Sequence, residues 1–262
     1  MYFIFFLGTA GSGKSYLTGA LAEWLEDHEL SVTKVNLDPA VEWLPYSPDV
    51  DVRDYVEVRK VMEKYGLGPN GALITSVDML VSYVDKIRDE IENLKSNYVL
   101  VDTPGQMELF AFRQSGPYIT SLISQGYKSV AVYLIDSFFV HQPTSFVSAL
   151  LLAISIHLRL GVPQIHVLSK SDLVPSDKIE KVTTWLGDPL TLIDDIEQDR
   201  VSRSLRDVVI QIEEALKELS LISEVIPVSS KTGEGLDELY GEIQRILAGG
   251  EDYLTEEASG PL

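Results

Sequence analysis

Eight residues near the amino terminus have the types and the spacing of a phosphate-binding loop. Residues 8–15 read Gly-Thr-Ala-Gly-Ser-Gly-Lys-Ser, which matches the pattern G-x-x-x-x-G-K-S/T. Its glycines let the backbone turn where a Cβ would clash, so that successive N–H groups can point at phosphate oxygens. Lys14 adds a cation, and the hydroxyl of Ser15 is a ligand for Mg²⁺. A glycine-rich turn without a ligand would not require this Lys-Ser pair, so the loop predicts a nucleoside triphosphate site bound by Gly11, Ser12, Gly13, Lys14, Ser15 and Tyr16.

A second polar segment, residues 102–106, reads Asp-Thr-Pro-Gly-Gln and follows an apolar run. A carboxylate at the carboxyl end of a strand beside the phosphate-loop strand can hold Mg²⁺ through the water shell of the ion, which makes Asp102 a candidate metal residue with Ser15. Gly105 can present its N–H to the γ-phosphate, and Gln106 is long enough to orient a water molecule. A common turn would also explain Asp-Thr-Pro-Gly, but its position after a phosphate loop and a buried strand favours a switch segment.

Another carboxylate, Asp38, follows the apolar run 32–37 and precedes Pro39. Two interpretations stay open at this position. Asp38 either positions the attacking water molecule or serves as a turn or helix-cap aspartate, for which Asx hydrogen bonding suffices. The spacing alone favours neither.

Base recognition is predicted at residues 169–172, which read Ser-Lys-Ser-Asp and form a variant of an N-K-x-D motif. Asp172 can accept hydrogen bonds from guanine N1–H and the 2-amino group. Adenine would leave such buried groups unpaired, and a mismatch of this kind can discriminate by about 10⁴ to 10⁵. The aliphatic stem of Lys170 would lie along the base. Ser169 stands where the motif has asparagine, and we expect a looser link to the phosphate loop.

Residues 228–231 support the same ligand. They read Val-Ser-Ser-Lys and resemble an S-A-K element whose backbone N–H, here assigned to Ser230, caps guanine O6. The two segments together favour guanine over adenine.

The elements that must position these residues are predicted from hydrophobic patterning. Six short apolar runs are typical of strands buried on both faces: 2–7, 32–37, 98–101, 129–135, 164–168 and 225–228. Helical patterns that supply the crossovers of a parallel sheet separate them: 77–94, 108–125, 144–160 and 199–219. This alternation predicts an α/β fold, a doubly wound and mostly parallel sheet flanked by helices, as in P-loop NTPases.

The domain organisation is predicted to be simple. We expect one domain over residues 1–248, with insertions at about 49–78 and 175–221, the second of them helical, and an acidic tail over 249–262. Within the first insertion, residues 68–71 read Gly-Pro-Asn-Gly, which is typical of a tight turn with Pro69 at its first central position.

Composition restricts the partners. The 262 residues include 40 acidic and 21 basic residues, for a net charge of −19, which disfavours extended contact with nucleic acid or an anionic membrane. Over a Debye length of about 8 Å distant carboxylates are screened, so loop amides, Lys14 and Mg²⁺ can still hold a triphosphate. The absence of cysteine excludes disulfides and thiolate zinc sites.

The sequence shows neither a signal peptide nor a membrane span. The apolar start lacks a basic leader, and the apolar run 149–156 is shorter than the roughly 20 residues that cross a bilayer. We expect a cytoplasmic protein without a membrane span.

With the phosphate loop, Asp-Thr-Pro-Gly-Gln, Ser-Lys-Ser-Asp, Asn-Leu-Asp-Pro-Ala at 36–40 and an isolated Gly-Pro-Asn at 68–70, the chain resembles the GPN-loop GTPases, in particular the archaeal members. The resemblance implies a homodimer in which the Gly-Pro-Asn loop approaches the partner's nucleotide, with Asn70 near the γ-phosphate or the released phosphate. It also implies water-positioning roles for Asp38 and Gln106, and for Asp102 a contact with either a magnesium-bound water or the attacking water. The sequence alone does not separate these roles. By analogy with the family, the client would be a partner complex such as RNA polymerase subunits during assembly.

The leading hypothesis is Mg²⁺-dependent hydrolysis of GTP to GDP and phosphate by in-line attack of water, with Lys14 and the loop amides stabilising charge. An arginine finger is not identifiable from spacing, since neither Arg53, Arg59 nor Arg113 can be assigned to the site. Two alternatives stay open. One is a GTP-gated scaffold with little hydrolysis, and the other is a P-loop small-molecule kinase, whose lid would have to draw on Arg200, Arg203 and Arg206.

Overall fold

A computed structural model of the chain describes residues 1–198, 211 and 224–249. Its centre is a seven-stranded sheet in the order β3-β2-β4-β1-β5-β6-β7, and every pair of neighbouring strands is parallel. The strands are β1 (Tyr2–Gly8), β2 (Val32–Asn36), β3 (Val50–Asp51), β4 (Tyr98–Asp102), β5 (Lys128–Asp136), β6 (Gln164–Ser169) and β7 (Ile226–Val228). The predicted α/β fold with a doubly wound parallel sheet is confirmed.

Helices cover both faces of the sheet. In the described part of the chain they are α1 (Lys14–Asp27), α2 (Val58–Tyr65), α3 (Pro69–Leu80), α4 (Val84–Leu94), α5 (Met107–Phe110), α6 (Ser115–Ile123), α7 (Pro143–Leu160), α8 (Ser176–Gly187), α9 (Pro189–Gln198) and α10 (Leu236–Leu247). The central strand β1 is buried on both faces of the sheet, because helices cover both. Its successive side chains point to opposite faces. Phe3 and Phe5 pack in the core with α3, α4, α6 and α7, whereas Ile4 and Phe6 pack with α1 and α10.

The sequence pattern missed some element boundaries. β3 has two residues, too few to give a periodic signal. A short 3₁₀ turn at Val81–Tyr83 divides the predicted helix 77–94 into α3 and α4, and the predicted helix 108–125 is divided into α5 and α6. The predicted helix 199–219 lies outside the described residues apart from Gln211, as does the acidic tail apart from Gly249.

The expected tight turn at residues 68–71 is wrong. Gly68 is the residue before α3, with φ −72° and ψ 169°, and Pro69 is the first residue of the helix. Proline is favoured there because the first N–H groups of a helix have no intrahelical partner. The N–H of Ala72 donates to the Gly68 carbonyl at 2.9 Å, which closes the first helical turn where the pattern predicted a reversal.

The topology gathers the predicted functional segments at one edge of the sheet. β1 lies between β4 and β5, and the chain order reverses around it. Such a switch point, at the carboxyl ends of parallel strands, is where doubly wound sheets bind ligands. The register places Asp102 opposite both Phe6 and Asn36, and Ser169 opposite Asp136. The phosphate loop, the two acidic segments and the base motif therefore leave the sheet side by side.

Among the described residues, α7 is the one helix long and apolar enough to cross a membrane, with a mean hydropathy of 1.5 over 18 residues. A helix in a protein core passes the same test of length and composition. Phe146, Leu150 and Ala153 of α7 are buried against the sheet. Core packing therefore accounts for these three apolar residues, whereas Leu151 and Leu158 of the same helix are exposed.

Candidate nucleotide site

The phosphate loop joins β1 to α1 in a conformation that depends on glycine. Gly8 has φ +145° and Gly13 φ +96°, in the range that L side chains rarely adopt. A Cβ at Gly8 would also lie 2.8 Å from the Leu134 carbonyl oxygen of the neighbouring strand. Gly13 is the residue before α1, and no side chain caps this end of the helix, so its first N–H groups have no intrahelical or capping partner.

Lys14 is held inside the loop. It is 6% exposed, and its Nζ donates to the carbonyls of Gly8 at 2.9 Å and Thr9 at 3.0 Å. Burial lowers the pKa of Lys14, while the carboxylates of Asp102 and Asp38 raise it. The ammonium group therefore lies between the loop and two acidic residues. A phosphate bound in the loop would be close enough to interact with its positive charge.

Asp102 ends β4 and is 2% exposed. Its Oδ2 accepts a hydrogen bond from the Tyr46 hydroxyl at 3.1 Å. Burial raises the pKa of Asp102 to about 6, against the opposing influence of the Ser15 hydroxyl, Lys14 and Tyr46. Its Oδ1 has no partner with hydrogen-bond geometry among the described residues, although Ser15 lies near enough to affect the pKa. One buried oxygen is therefore left for a further donor.

These groups fit magnesium. Mg²⁺ takes oxygen ligands, keeps several waters and uses one or two carboxylates together with substrate phosphates. The hydroxyl of Ser15 and the unpartnered oxygen of Asp102 supply that chemistry. Among the described residues there is no cluster of three or more His, Asp or Glu that could hold a metal ion.

Asp38 makes the turn that one of its two interpretations predicted, and its role in positioning water stays a prediction. Its Oδ1 accepts from the N–H of Ala40 at 2.9 Å, which is an Asx turn at Pro39. Burial raises the pKa of Asp38, while the N–H groups of Ala40 and Gly105 and the charge of Lys14 lower it. The same carboxylate that makes the turn therefore also faces the phosphate loop and the switch segment.

Gly105 packs directly on the phosphate loop. A Cβ at this position would lie 3.0 Å from the Ala10 Cα and 3.4 Å from the Lys14 Nζ. The absence of a side chain lets the backbone of the switch segment approach the lysine. Gln106 follows at the start of α5 and is half-buried.

The structure adds residues that sequence reasoning missed. Tyr46 reaches Asp102 from the segment between β2 and β3, which has no periodic pattern to mark it. Arg53 forms a two-pronged pair with Asp51, with its Nε at 3.0 Å from both carboxylate oxygens and its Nη2 at 2.6 Å from Oδ2. Arg53 also lowers the pKa of Asp38, so it lies beside the site although spacing could not place it. Burial and the charges of Asp102 and Asp51 raise the pKa of Tyr46, which keeps its hydroxyl protonated.

The base motif is tied to the phosphate loop by side chains. Ser169 Oγ donates to the Ser12 carbonyl at 2.7 Å and lies 3.2 Å from the Ile135 carbonyl. Lys170 Nζ donates to the Gly11 carbonyl at 2.6 Å and to Asp136 Oδ2 at 2.7 Å. The expected looser link at Ser169 is wrong, because the short hydroxyl reaches the loop from the end of β6.

Asp172 is oriented from the loop after β7. The hydroxyl of Ser229 donates to its Oδ1 at 2.7 Å, and the N–H of Thr232 lies 3.2 Å from Ser229 Oγ. The predicted residue Ser230 is the next in the chain and is partly exposed. Ser229 supplies a side-chain contact that the motif comparison did not assign.

A cavity of about 320 Å³ lies beside the phosphate loop, lined by Gly11, Gly13, Lys14, Ser15, Tyr16, Trp43, Pro45 and Lys170. Asp172 is not among the lining residues. The cavity lies between the phosphate loop and the lysine of the base motif. Trp43 is 65% exposed and Tyr16 57%, and their ring centroids are 6.1 Å apart. Asn70 is exposed in the first turn of α3 and does not line this cavity.

Comparisons with known proteins agree with this arrangement. A family model described as "Conserved hypothetical ATP binding protein" matches residues 6–249. The chain is 34% identical to GPN-loop GTPase 1 of Dictyostelium discoideum over 92% of its own length, and it spans 60% of that longer relative. It is 36% identical to a GPN-loop GTPase of Pyrococcus abyssi, over 90% of this chain and 93% of that protein.

A solved structure gives the same answer for the fold. The crystal structure of a GTPase in apo form from Pyrococcus abyssi superposes with a TM-score of 0.82 and 32% identity, over 97% of this chain and 98% of that one. Sequence and fold therefore match along almost the whole of both chains. This chain belongs to the GPN-loop GTPases, a family of P-loop GTP hydrolases.

Proposed function

We propose that this chain hydrolyses GTP to GDP and phosphate in a Mg²⁺-dependent reaction. The observation that carries the proposal is the cavity in which the phosphate loop meets Lys170 of the base motif. A nucleotide seated there would have its phosphates at the terminus of α1 and its base beside Lys170 and Asp172. Guanine is favoured because Asp172 presents a carboxylate held by Ser229, and a carboxylate pairs with the N1–H and 2-amino group of guanine.

The phosphate loop would bind the triphosphate with groups that are already in place. The N–H groups of Gly11, Gly13, Lys14, Ser15 and Tyr16 would supply donors at a helix terminus. The N–H of Ser12 donates to the Thr9 carbonyl at 3.1 Å and would exchange this bond for a phosphate oxygen. Lys14 is held by two carbonyls of the loop, and it can exchange them for phosphate oxygens without a large movement of its backbone.

Ser15 and Asp102 would hold magnesium, Ser15 as a direct oxygen ligand and Asp102 through a bound water. When bound, the ion would neutralise charge on the phosphate oxygens and so favour departure of the γ-phosphate. In the protein, the free Oδ1 of Asp102 would accept the hydrogen bond of a coordinated water.

Hydrolysis would depend on positioning a water molecule, since phosphoryl transfer needs little covalent help from the protein. Asp38 and Gln106 are the candidate positioning groups, and Gly105 can donate its N–H to the γ-phosphate. The contact of Gly105 with Lys14 supports this role, because it brings the switch segment against the loop.

The partner in the reaction would be a second copy of the chain. Family membership supports a homodimer in which residues 68–70 approach the nucleotide of the partner subunit. All three of these residues are exposed, so they are available to another molecule, and Asn70 would lie near the γ-phosphate. Dimer rearrangement would assist assembly of a protein complex in the cytoplasm, with RNA polymerase subunits as the family-based candidate client. The charge of −19 disfavours direct contact with nucleic acid or membranes.

Phosphate release and nucleotide competition test the proposal. The purified chain should release phosphate from GTP with Mg²⁺ and lose this activity in EDTA, and GTP should displace labelled GDP whereas ATP should not. Equal competition by ATP would agree with the description of the family model and overturn the assignment of guanine. GTP binding without phosphate release would favour the GTP-gated scaffold, and phosphate transfer to a small acceptor would favour the kinase, whose candidate arginines at 200, 203 and 206 lie outside the described residues.

A size measurement tests the dimer separately. Light scattering on the nucleotide-bound chain should give the mass of two copies, and Asn70→Ala should slow hydrolysis with little loss of GDP affinity. A monomer at all concentrations, or unchanged turnover of the variant, would remove the second copy or Asn70 from the mechanism.

A further inference from the structure

We propose that Tyr46 is a positioning residue for the magnesium site, which acts by holding the Asp102 carboxylate through its phenol hydroxyl. The proposal deepens the proposed function and rests on it, because it presumes that Asp102 contacts a magnesium-bound water. The site residues assigned from sequence do not include Tyr46.

The two carboxylate oxygens of Asp102 differ in their hydrogen bonds. Tyr46 donates to Oδ2 at 3.1 Å, while Oδ1 has no hydrogen-bond partner among the described residues. Asp102 is 2% exposed, so bulk water cannot readily satisfy the free oxygen. Fixing one oxygen restricts rotation of the carboxylate and leaves the other in a defined place for the magnesium water.

Tyr46 itself packs against α1, the helix that carries Ser15, the proposed direct ligand of magnesium. Its ring lies against Gly19 of α1, where a Cβ would come within 3.5 Å of the Tyr46 Cβ. The same helix begins at Lys14 and Ser15. Tyr46 therefore spans α1 and the end of β4, and it can set Asp102 relative to Ser15.

The hydrogen bond also joins two segments that the reaction must coordinate. Tyr46 and Asp38 belong to the same connection between β2 and β3. If Tyr46 holds the carboxylate of the magnesium site, then loss of the ion alters a contact of the segment that carries the water-positioning candidate. Groups that orient metal-binding residues from behind typically contribute about 10- to 100-fold to metal affinity.

A packing role is the competing explanation, because a partly buried tyrosine hydroxyl usually finds some hydrogen-bond partner. The two explanations differ in what removal of the hydroxyl alone should do. Tyr46→Phe keeps the ring against Gly19 and deletes the donor. A packing role predicts normal magnesium dependence, and a positioning role predicts a selective defect.

The experiment measures release of fluorescent GDP as a function of Mg²⁺ concentration. In Tyr46→Phe, the concentration of Mg²⁺ that gives half-maximal slowing of release should rise about tenfold, while release in EDTA should match wild type. Tyr55→Phe is a matched control, because it removes a phenol that lies near a different carboxylate, that of Glu90. This control should leave the magnesium dependence unchanged.

A double-mutant cycle then tests the route through Asp102. Asp102→Asn should weaken the magnesium effect by itself, and adding Tyr46→Phe to it should produce no further change. Additive effects of the two substitutions, or an unchanged or stronger magnesium effect in Tyr46→Phe, would overturn the proposal. Failure of wild type to hydrolyse GTP would overturn the proposed function alone, since GDP release does not require hydrolysis. Failure of wild type to bind GDP would overturn both.

Discussion

The hydroxyl of Ser169 donates to the carbonyl of Ser12 at 2.7 Å, and this buried bond joins the base motif to the phosphate loop beside the bond from Lys170 to the Gly11 carbonyl. Ser169 is 3% exposed and Ser12 is fully buried. Where related motifs use the longer side chain of asparagine, this chain uses serine, because the end of β6 lies close enough to the loop for a hydroxyl to reach.

Removing this bond should weaken nucleotide binding of every kind. Ser169→Ala leaves the buried carbonyl of Ser12 without its donor, which costs about 1–3 kcal/mol. We expect GDP affinity to fall by roughly tenfold and the melting temperature to fall with it. Calorimetric titration and thermal unfolding measure the two effects.

Ser171→Ala is the control for that experiment. Ser171 is also buried, at 4% exposure, but its Oγ has no hydrogen-bond partner among the described residues. Its removal should leave GDP affinity and melting temperature almost unchanged. If both alanine variants behave alike, the bond from Ser169 to Ser12 does not link the base motif to the loop.

The identity of the base should depend on the carboxylate of Asp172. Asp172→Asn replaces an acceptor by a donor opposite the 2-amino group of guanine, so GDP affinity should fall by a factor on the order of 10³ or more. Xanthine carries an oxo group at that carbon, which can accept from the new amide, and xanthosine diphosphate should bind the variant better than GDP does. Competition against labelled nucleotide measures both.

Ser229→Ala gives a graded version of the same test. It keeps the carboxylate of Asp172 but removes the hydroxyl that holds it at 2.7 Å, so we expect a loss of about tenfold without a change of base preference. A variant at Asp172 that still prefers GDP would show that another group reads the base.

Local patterns predicted the parts of the site whose chemistry is contained in one segment. The loop with Lys14 and Ser15 is recognisable because its backbone shape requires glycines at fixed offsets, and the buried strands are recognisable as continuous apolar runs. The position of Asp102 at the carboxyl edge of the sheet followed from its place directly after a predicted strand.

Contacts between distant segments were beyond the sequence pattern. Tyr46 and Asp102 are 56 positions apart in the sequence, and no local pattern around Tyr46 indicates their hydrogen bond. β3 has two residues, too few to show the alternation of a strand. Pro69 fits a turn and a helix start equally well. Ser229 supplies a side-chain contact to Asp172 that no local pattern indicates, because Ser229 and Asp172 are 57 positions apart in the sequence.

Gln106 should matter for turnover and little for product binding. Gln106→Ala removes a group proposed to orient water, which acts in the reaction and not in the GDP complex. We expect phosphate release under saturating GTP to fall by about 10- to 100-fold, with GDP affinity within about twofold of wild type. A parallel loss of GDP affinity would instead assign Gln106 to nucleotide binding or to folding of the switch segment.

Stability should fall in mild acid because of His166. This residue of β6 is 4% exposed, and its Nε2 lies 2.9 Å from the amide nitrogen of Gln164. Burial, with a smaller contribution from His157, lowers the pKa of His166 to about 4. The unfolded chain binds this proton near pH 6.5, so the neutral histidine contributes stability that is complete above pH 6.5 and is lost as the pH falls towards 4.

His166→Gln isolates that contribution, since glutamine cannot titrate and keeps an oxygen that can accept from Gln164. Between pH 8 and pH 5, the free energy of unfolding of wild type should fall by about 2 kcal/mol more than that of the variant. The raised pKa of Asp102 acts in the opposite direction, because its buried carboxylate gains a proton more easily when folded, and it is common to both proteins. Urea unfolding at the two pH values measures the difference. An equal fall of the free energy of unfolding in both proteins would mean that folding does not lower the pKa of His166.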